Sequence, residues 1–208
     1  MPRQFIMWHH KVTLRTNQTL LWQRGPSTAV QSSSYQMNSF TRIQNSKNNS
    51  SGSGYTQTVA LWEKSSYEAF KAVKDYNDNQ TTANHPNNTG WFLPTVGQYY
   101  AVMIGLGGGN FTYEGLYLSG SDQRYFKKNN SYANITDPIN EKLSKVGDEN
   151  YTEFFGSIEA SGWTSSESST TGGVRAHSGV LAGYGAGSFR LSTPGKSFQL
   201  SVRPFLAF

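Results

Sequence analysis

The chain has 208 residues, 36% hydrophobic and 14% aromatic, enough to bury one core and organise one domain. Only 15% of residues are charged, for a net +5, and the Lys and Arg residues are scattered without a run, which argues against a nucleic-acid footprint. The absence of cysteine excludes a disulfide framework, a thiolate metal site and a cysteine nucleophile.

Gly, Ser, Asn, Thr and Tyr are abundant, which suits a loop-rich fold containing β-strands better than a helical bundle. No apolar run approaches the roughly eighteen residues that cross a bilayer, so direct membrane insertion is not expected. Met1 to Leu14 lacks the basic-then-apolar layout of a signal peptide, and any export signal is expected outside this chain.

Residues 1 to 10 show no period and stay unassigned. Lys11 to Arg15 alternates polar and apolar as a half-buried strand does, and Thr19 to Trp22 is a second short apolar run. A polar passage follows, with a flexible loop at Asn45 to Gly54. Ser65 and Glu68 have capping-box spacing, and Tyr67, Phe70, Val73 and Lys74 follow at helical intervals, which predicts a helix to about Tyr76.

Asn77 to Gly90 reads as a loop, and Trp91-Phe92-Leu93 as a buried run ended by Pro94. Thr95 and Gln98 form a second capping-box pattern, opening a helix that carries Val96, Tyr99, Tyr100, Met103 and Ile104 and stops at the glycines of Gly105 to Gly109. A third helix is predicted over Asp137 to Val146, with Asp137 as its cap, Pro138 at its start and Gly147 as its end. From Trp163 onward Thr, Ser, Gly and β-branched residues predict strands and turns, with a final strand at Phe198 to Val202.

The last fifth of the chain holds its least usual stretch. Residues 168 to 195 contain no Met, Trp, Gln, Lys or Glu, although these types are common before them. The stretch lies between Gly162-Trp163-Thr164-Ser165-Ser166-Glu167 and Ser201-Val202-Arg203-Pro204-Phe205-Leu206-Ala207-Phe208.

Catalytic patterns are sparse. Gly105 to Gly109 lacks the Lys-Ser/Thr of a phosphate loop and follows a predicted helix, so it reads as a terminator. Adjacent His9 and His10 do not converge on one ion in a strand, and no third ligand is spaced to help them, so no metal is expected. His177 lies among serines, but there is no G-x-S-x-G elbow and no acidic residue from Ser168 to Phe208 to orient it. Asp75, Asp78, Asp122, Asp137, Asp148, Glu149 and Glu153 show no spacing that marks a carboxylate pair. Glu167, set between Trp163 and the glycine-rich run, is expected to be partly buried, where its carboxylate must accept backbone N–H groups or meet a cation. The expectation is a non-enzymatic chain without a cofactor.

Four phrases occur in order: Gly90-Trp91-Phe92-Leu93-Pro94-Thr95-Val96-Gly97-Gln98-Tyr99, Leu143-Ser144-Lys145-Val146-Gly147-Asp148-Glu149-Asn150-Tyr151, Trp163 to Glu167, and Val202 to Phe208. Over residues 11 to 208 the chain resembles the C-type-lectin-fold variable proteins of diversity-generating retroelements, a family of bacterial surface and phage proteins similar also to the C-terminal domain of collagen-like bacterial adhesins. The resemblance implies an α+β chain with a C-type-lectin-like fold of the formylglycine-generating-enzyme-like subclass: small antiparallel sheets, two to three helices and long loops. It places one ligand-binding domain at residues 11 to 208 and pairs the first and last strands, bringing Val12 to Leu14 near Val202 to Phe208.

In that family adenines are randomised, chiefly in Asn-type codons ending in C, which cannot become Met, Trp, Gln, Lys or Glu. Residues 168 to 195 lack those five types and become the implied variable region. A Gly/Ser-rich surface loop that avoids bulky residues for ordinary structural reasons is the alternative. The implied display positions are Ser168, Ser169, Thr170, Thr171, Arg175, His177, Leu181, Tyr184, Ser188, Phe189, Arg190 and Ser192, with Tyr184, Phe189 and Arg190 as the largest anchors. Trp91, Trp163, Glu167, Arg203 and Pro204 are implied scaffold, together with Phe92 and Val202.

The implied partner is a protein or glycan on another cell or host surface, met outside the cell from a bacterial surface or a phage virion, with oligomerisation left open. No Glu-Pro-Asn, Gln-Pro-Asp or Trp-Asn-Asp triplet is present to support calcium-dependent sugar binding. The formylglycine-generating oxidases of the same fold class depend on cysteines, which this chain lacks. Two other readings stand beside the binding module: an invariant tip or assembly domain of a surface fibre or phage tail, and a carbohydrate-active enzyme.

Overall fold

The computed structural model describes residues 5–6, 20–21, 23–24, 54–79, 90–98, 105–106, 112–114, 124–128, 131–132, 136–145, 161–167, 176–181, 189–192 and 194–207. Over these the chain is mixed helix and strand with antiparallel sheets, an α+β arrangement.

The core is built by two helices, α1 (Gly54–Leu61) and α2 (Glu68–Asn79), against β3 (Trp91–Phe92) and β7 (Ser161–Glu167). In α2 the apolar residues recur at three- and four-residue steps, so Tyr67 at its entry and Phe70, Val73 and Tyr76 form one stripe, all buried. That stripe meets Leu61 of α1, Trp91 and Leu93, and Trp163 of β7. The rings of Tyr76 and Trp91 meet edge to face with centroids 5.3 Å apart. On the outer side of α2 the pairs Lys71–Asp75 and Lys74–Asp78 join successive turns at 2.8 and 2.6 Å. Exposure and solvent screening make such pairs minor contributors to stability.

The helix α1 is held by its ends rather than by an apolar stripe. The hydroxyl of Thr58 donates to the Gly54 carbonyl at 2.6 Å and accepts from the Leu93 N–H at 2.9 Å, replacing a strand partner for Leu93. Gly54 lies so close to β3 that a Cβ there would stand 2.9 Å from the Phe92 ring and 2.7 Å from Gln98 Oε1. Only glycine permits that approach.

The largest sheet has the order β4 (Thr112–Glu114), β5 (Arg124–Lys128), β9 (Phe189–Ser192), β8 (Ala176–Leu181), β7, and β6 (Ser131–Tyr132) pairs with β5 off this path. A second sheet joins β2 (Leu20–Leu21) to β10 (Gln199–Leu200). A third joins β1 (Phe5–Ile6), β11 (Phe205–Ala207) and β3. A parallel bridge, Gly162 to Ser201, ties the largest sheet to the segment after β10.

Several elements differ from the sequence expectations. The strand that pairs with the end of the chain is Phe5–Ile6, with Phe5 opposite Ala207 and Ile6 opposite Leu206, inside the segment left unassigned. Val12 to Leu14 lie outside the described residues. At the start of α2 the Glu68 carboxylate does not close a box on Ser65: it accepts from Arg24 Nε at 2.7 Å and the Leu21 N–H at 3.2 Å, anchoring β2. That helix runs on to Asn79, past the expected end.

The second capping box forms as its spacing predicts. Gln98 N–H donates to Thr95 Oγ1 at 3.1 Å, and Gln98 Oε1 accepts from the Thr95 N–H at 2.8 Å. Residues 96–98 are helical, and so are Gly105 and Leu106; residues 99–104 and 107–109, the expected continuation and end of the helix, lie outside the described set. Lys142 of α3 (Thr136–Ser144) donates to the Leu106 and Gly105 carbonyls at 2.6 and 3.3 Å. Ile139 of α3 is fully buried, while Val146 and Gly147 lie outside the described residues. The expected single final strand is two, β10 and β11, separated at Pro204.

Candidate functional site

The candidate site is the excursion from Ser168 to Gly195 and the frame that holds its base. The phrase Trp163 to Glu167 forms most of β7, in which every residue from Gly162 to Glu167 is buried. Burial on both faces suits its make-up, because small hydroxyl residues need little room on either side of the strand. The Ser166 hydroxyl accepts from the Val96 N–H at 3.1 Å, and the Ser165 N–H donates to the Pro94 carbonyl at 2.8 Å. The Trp163 N–H donates to the Ser201 carbonyl at 2.9 Å, and its indole Nε1 to the Leu20 carbonyl at 2.7 Å. Three of the phrases singled out in the sequence are therefore in direct contact with one another.

Between Trp163 and Glu167 the β7–β8 register shifts: Trp163 lies opposite Ser178 and Glu167 opposite Ala176. Such an irregularity bends the strand and re-aims its last side chain. Glu167 is fully buried and forms an ion pair with Lys196, also fully buried. These two residues immediately flank the excursion, so its base is closed by a buried pair. The Lys196 Nζ also donates to Gln23 Oε1 at 3.3 Å, and the Gln23 N–H donates to the Lys196 carbonyl at 3.3 Å.

Burial pushes the Lys196 ammonium below its ordinary value, and the Glu167 carboxylate pulls against that. Burial raises the Tyr67 phenol, and the Glu167 charge adds to that rise. Glu167 thus meets the cation its sequence setting called for. Lys196 was missed as its partner, although one lysine directly after a lysine-free run and one acid directly before it were a legible signal.

Of the implied scaffold, Trp91, Trp163, Glu167 and Pro204 are buried and Arg203 is half-buried. Of the implied display positions, the structure brings His177 and Leu181 onto β8 and Phe189, Arg190 and Ser192 onto β9. Leu181 is in register with Phe189, Val180 with Arg190, and Ser178 with Ser192. Ser168, Ser169, Thr170, Thr171, Arg175, Tyr184 and Ser188 lie outside the described residues.

Asp75 and Asp78 are exposed and paired with lysines of their own helix, and Asp137 is exposed at the start of α3. Asp122, Asp148, Glu149, Glu153, His9 and His10 lie outside the described residues. Among the described residues no group of three or more His, Cys, Asp or Glu could hold a metal ion, and no helix is long and apolar enough to cross a membrane.

Fold and site together define an α+β chain whose glycine- and serine-rich excursion is closed at its base by a buried ion pair. No known family model, no curated protein and no solved structure matches it.

Proposed function

We propose that the chain is a non-enzymatic ligand-binding or adhesion module with a C-type-lectin-like fold, whose binding surface is carried by residues 168 to 195. One observation supports this reading above the others: the buried Glu167–Lys196 pair brackets the compositionally unusual run at both ends. A frame that fixes the two ends of a segment independently of what lies between is what a diversified surface needs. The Arg, Tyr and Phe of the run, set among small polar residues, have the make-up of an adaptable paratope. The ligand is a protein or glycan on another cell or host surface, bound by direct contacts without a metal, and the module sits on a bacterial surface or a phage virion.

Substitution tests it. Tyr184→Ala, Phe189→Ala and Arg190→Ala are expected to change binding to an array of surface proteins and glycans while the melting temperature stays within about 2 °C of the parent, as for surface changes of under about 0.5 kcal/mol. Loss of folding in step with loss of binding in all three variants would count against the module.

A second reading, an invariant tip or assembly domain, is favoured by one observation: β8 and β9 are interior strands of the largest sheet. The coding sequence separates the two. Codons ending in C across residues 168 to 195, with a near-identical template copy and a reverse transcriptase nearby, support the variable surface; a run kept identical among close relatives supports the tip.

A further inference from the structure

Gln23, Glu167 and Lys196 bring three complementary groups together out of contact with water. Lys196 and Glu167 have no exposure and Gln23 has 4%. The amine of Lys196 is hydrogen-bonded to the carboxamide oxygen of Gln23 at 3.3 Å and ion-paired to the Glu167 carboxylate. The backbone fixes this meeting: the Gln23 N–H donates to the Lys196 carbonyl, and the neighbouring strands β2 and β10 are in register, Leu21 opposite Gln199 and Leu20 opposite Leu200. An amine, an amide carbonyl and a proton carrier held in one dry site are the parts that amide exchange requires, and fixed proximity supplies much of the barrier lowering.

We propose that Lys196 and Gln23 join through an intramolecular isopeptide bond, with Glu167 carrying the proton. Glu167 takes a proton from the Lys196 ammonium, leaving a neutral amine and a carboxylic acid. The Nζ lone pair then attacks Cδ of Gln23, and the new C–N bond forms as the carbonyl electron pair moves onto Oε1. As the tetrahedral centre collapses, the Cδ–Nε2 bond breaks, its electron pair leaves with nitrogen, and Glu167 returns the proton to the departing amine. The second amine proton passes to Glu167, so that an ammonium, a carboxylate and a carboxamide become one secondary amide, one carboxylic acid and one free ammonia. No oxidant, reductant or further reactant is needed.

Burial favours the neutral amine the step requires. Gln23 rather than Glu167 is the acceptor, because exchange replaces one amide by another and releases ammonia to solvent, and it leaves the Glu167 carboxyl free to carry the protons. The bond closes a loop from Gln23 to Lys196 that contains the core helices and the whole run from Ser168 to Gly195. It stands whether or not that run binds a ligand.

The experiment is the intact mass of the purified, folded chain, followed by protease digestion and sequencing of branched peptides. The expected result is a chain lighter by one ammonia, with a branched peptide joining Gln23 to Lys196, and a return to the full sequence mass in Lys196→Arg, Glu167→Gln and Gln23→Ala. A wild-type chain at full mass, an ammonia loss mapped to another residue, or a loss of water with a branch between Lys196 and Glu167 would each overturn the proposal. The wild-type measurement decides even where a variant fails to fold.

Discussion

At the scale of single residues, the frame depends on a few buried polar groups whose partners decide whether they help or harm. Tyr76 is 6% exposed, its hydroxyl has no hydrogen-bond partner among the described residues, and burial pushes its phenol up to about 12 from an ordinary 10.0. Below pH 10 both folded and unfolded forms keep the proton. Between about 10 and 12 only the unfolded form gives it up, so the contribution of this group falls as pH rises, by about 1.4 kcal/mol per pH unit. Tyr76→Phe is expected to gain up to about 1 kcal/mol at neutral pH by removing an unpaired buried hydroxyl. It should also flatten the alkaline loss, as read by urea unfolding at pH 8, 10 and 11.

The Glu167–Lys196 pair behaves oppositely. Lys196→Ala removes both the partner of the buried Glu167 carboxyl and the cross-link proposed above, and is expected to cost about 3–5 kcal/mol. A shift of the urea midpoint at constant slope is the measurement. A Lys196→Ala chain as stable as the parent would contradict the role given to the pair.

At the scale of elements, the Asn77 side chain ties α2 to β3 by hydrogen bonds. Asn77 Nδ2 donates to the Val73 carbonyl at 3.1 Å and the Trp91 carbonyl at 2.8 Å, while its Oδ1 accepts from the Trp91 N–H at 2.7 Å. Gly90, at φ +75°, turns the chain into β3 with a Cβ position 3.2 Å from that Oδ1. Asn77→Ala is expected to cost about 2–3 kcal/mol by orphaning both backbone groups of Trp91. Gly90→Ala should cost about 1–2 kcal/mol through the left-handed backbone. Thermal melts of the two variants and their double mutant would show coupling, since the sites touch.

How far the sequence was legible follows the same physics. The periodic stripe of α2 and the reciprocal Thr95–Gln98 box are local patterns, and both are visible in the chain alone. The helix α1 was not foreseen, because Gly54, Thr56, Thr58 and Val59 are weak helix formers and its support comes from Leu93 and Gln98, more than thirty residues away. Glu68 misled for the same reason: its spacing fits a cap, but a tertiary partner, Arg24, takes its carboxylate. Two-residue strands such as β1 carry too few positions for any period to show.

At the scale of the whole molecule, the excursion is not an appendage. Its strands β8 and β9 lie between β5 and β7, so they connect the β4–β5–β6 part of the largest sheet to the core. Replacing residues 170 to 191 with a short Gly-Ser linker is therefore expected to abolish cooperative melting rather than merely remove a binding surface. Calorimetry would check it: a sharp transition of undiminished enthalpy would mean that the α1–α2–β3–β7 core stands alone. The same placement limits free variation, because alternate positions of an interior strand belong to opposite faces.

The buried pair at the base of the excursion also sets a rule for anyone using this chain as an engineering scaffold. A randomised library should stay inside Ser168 to Gly195 and spare strands β8 and β9, with Glu167 and Lys196 kept as bookends. One codon wider on either side, each library member would carry its own folding defect, and selection would recover the survivors of misfolding in place of the best binders.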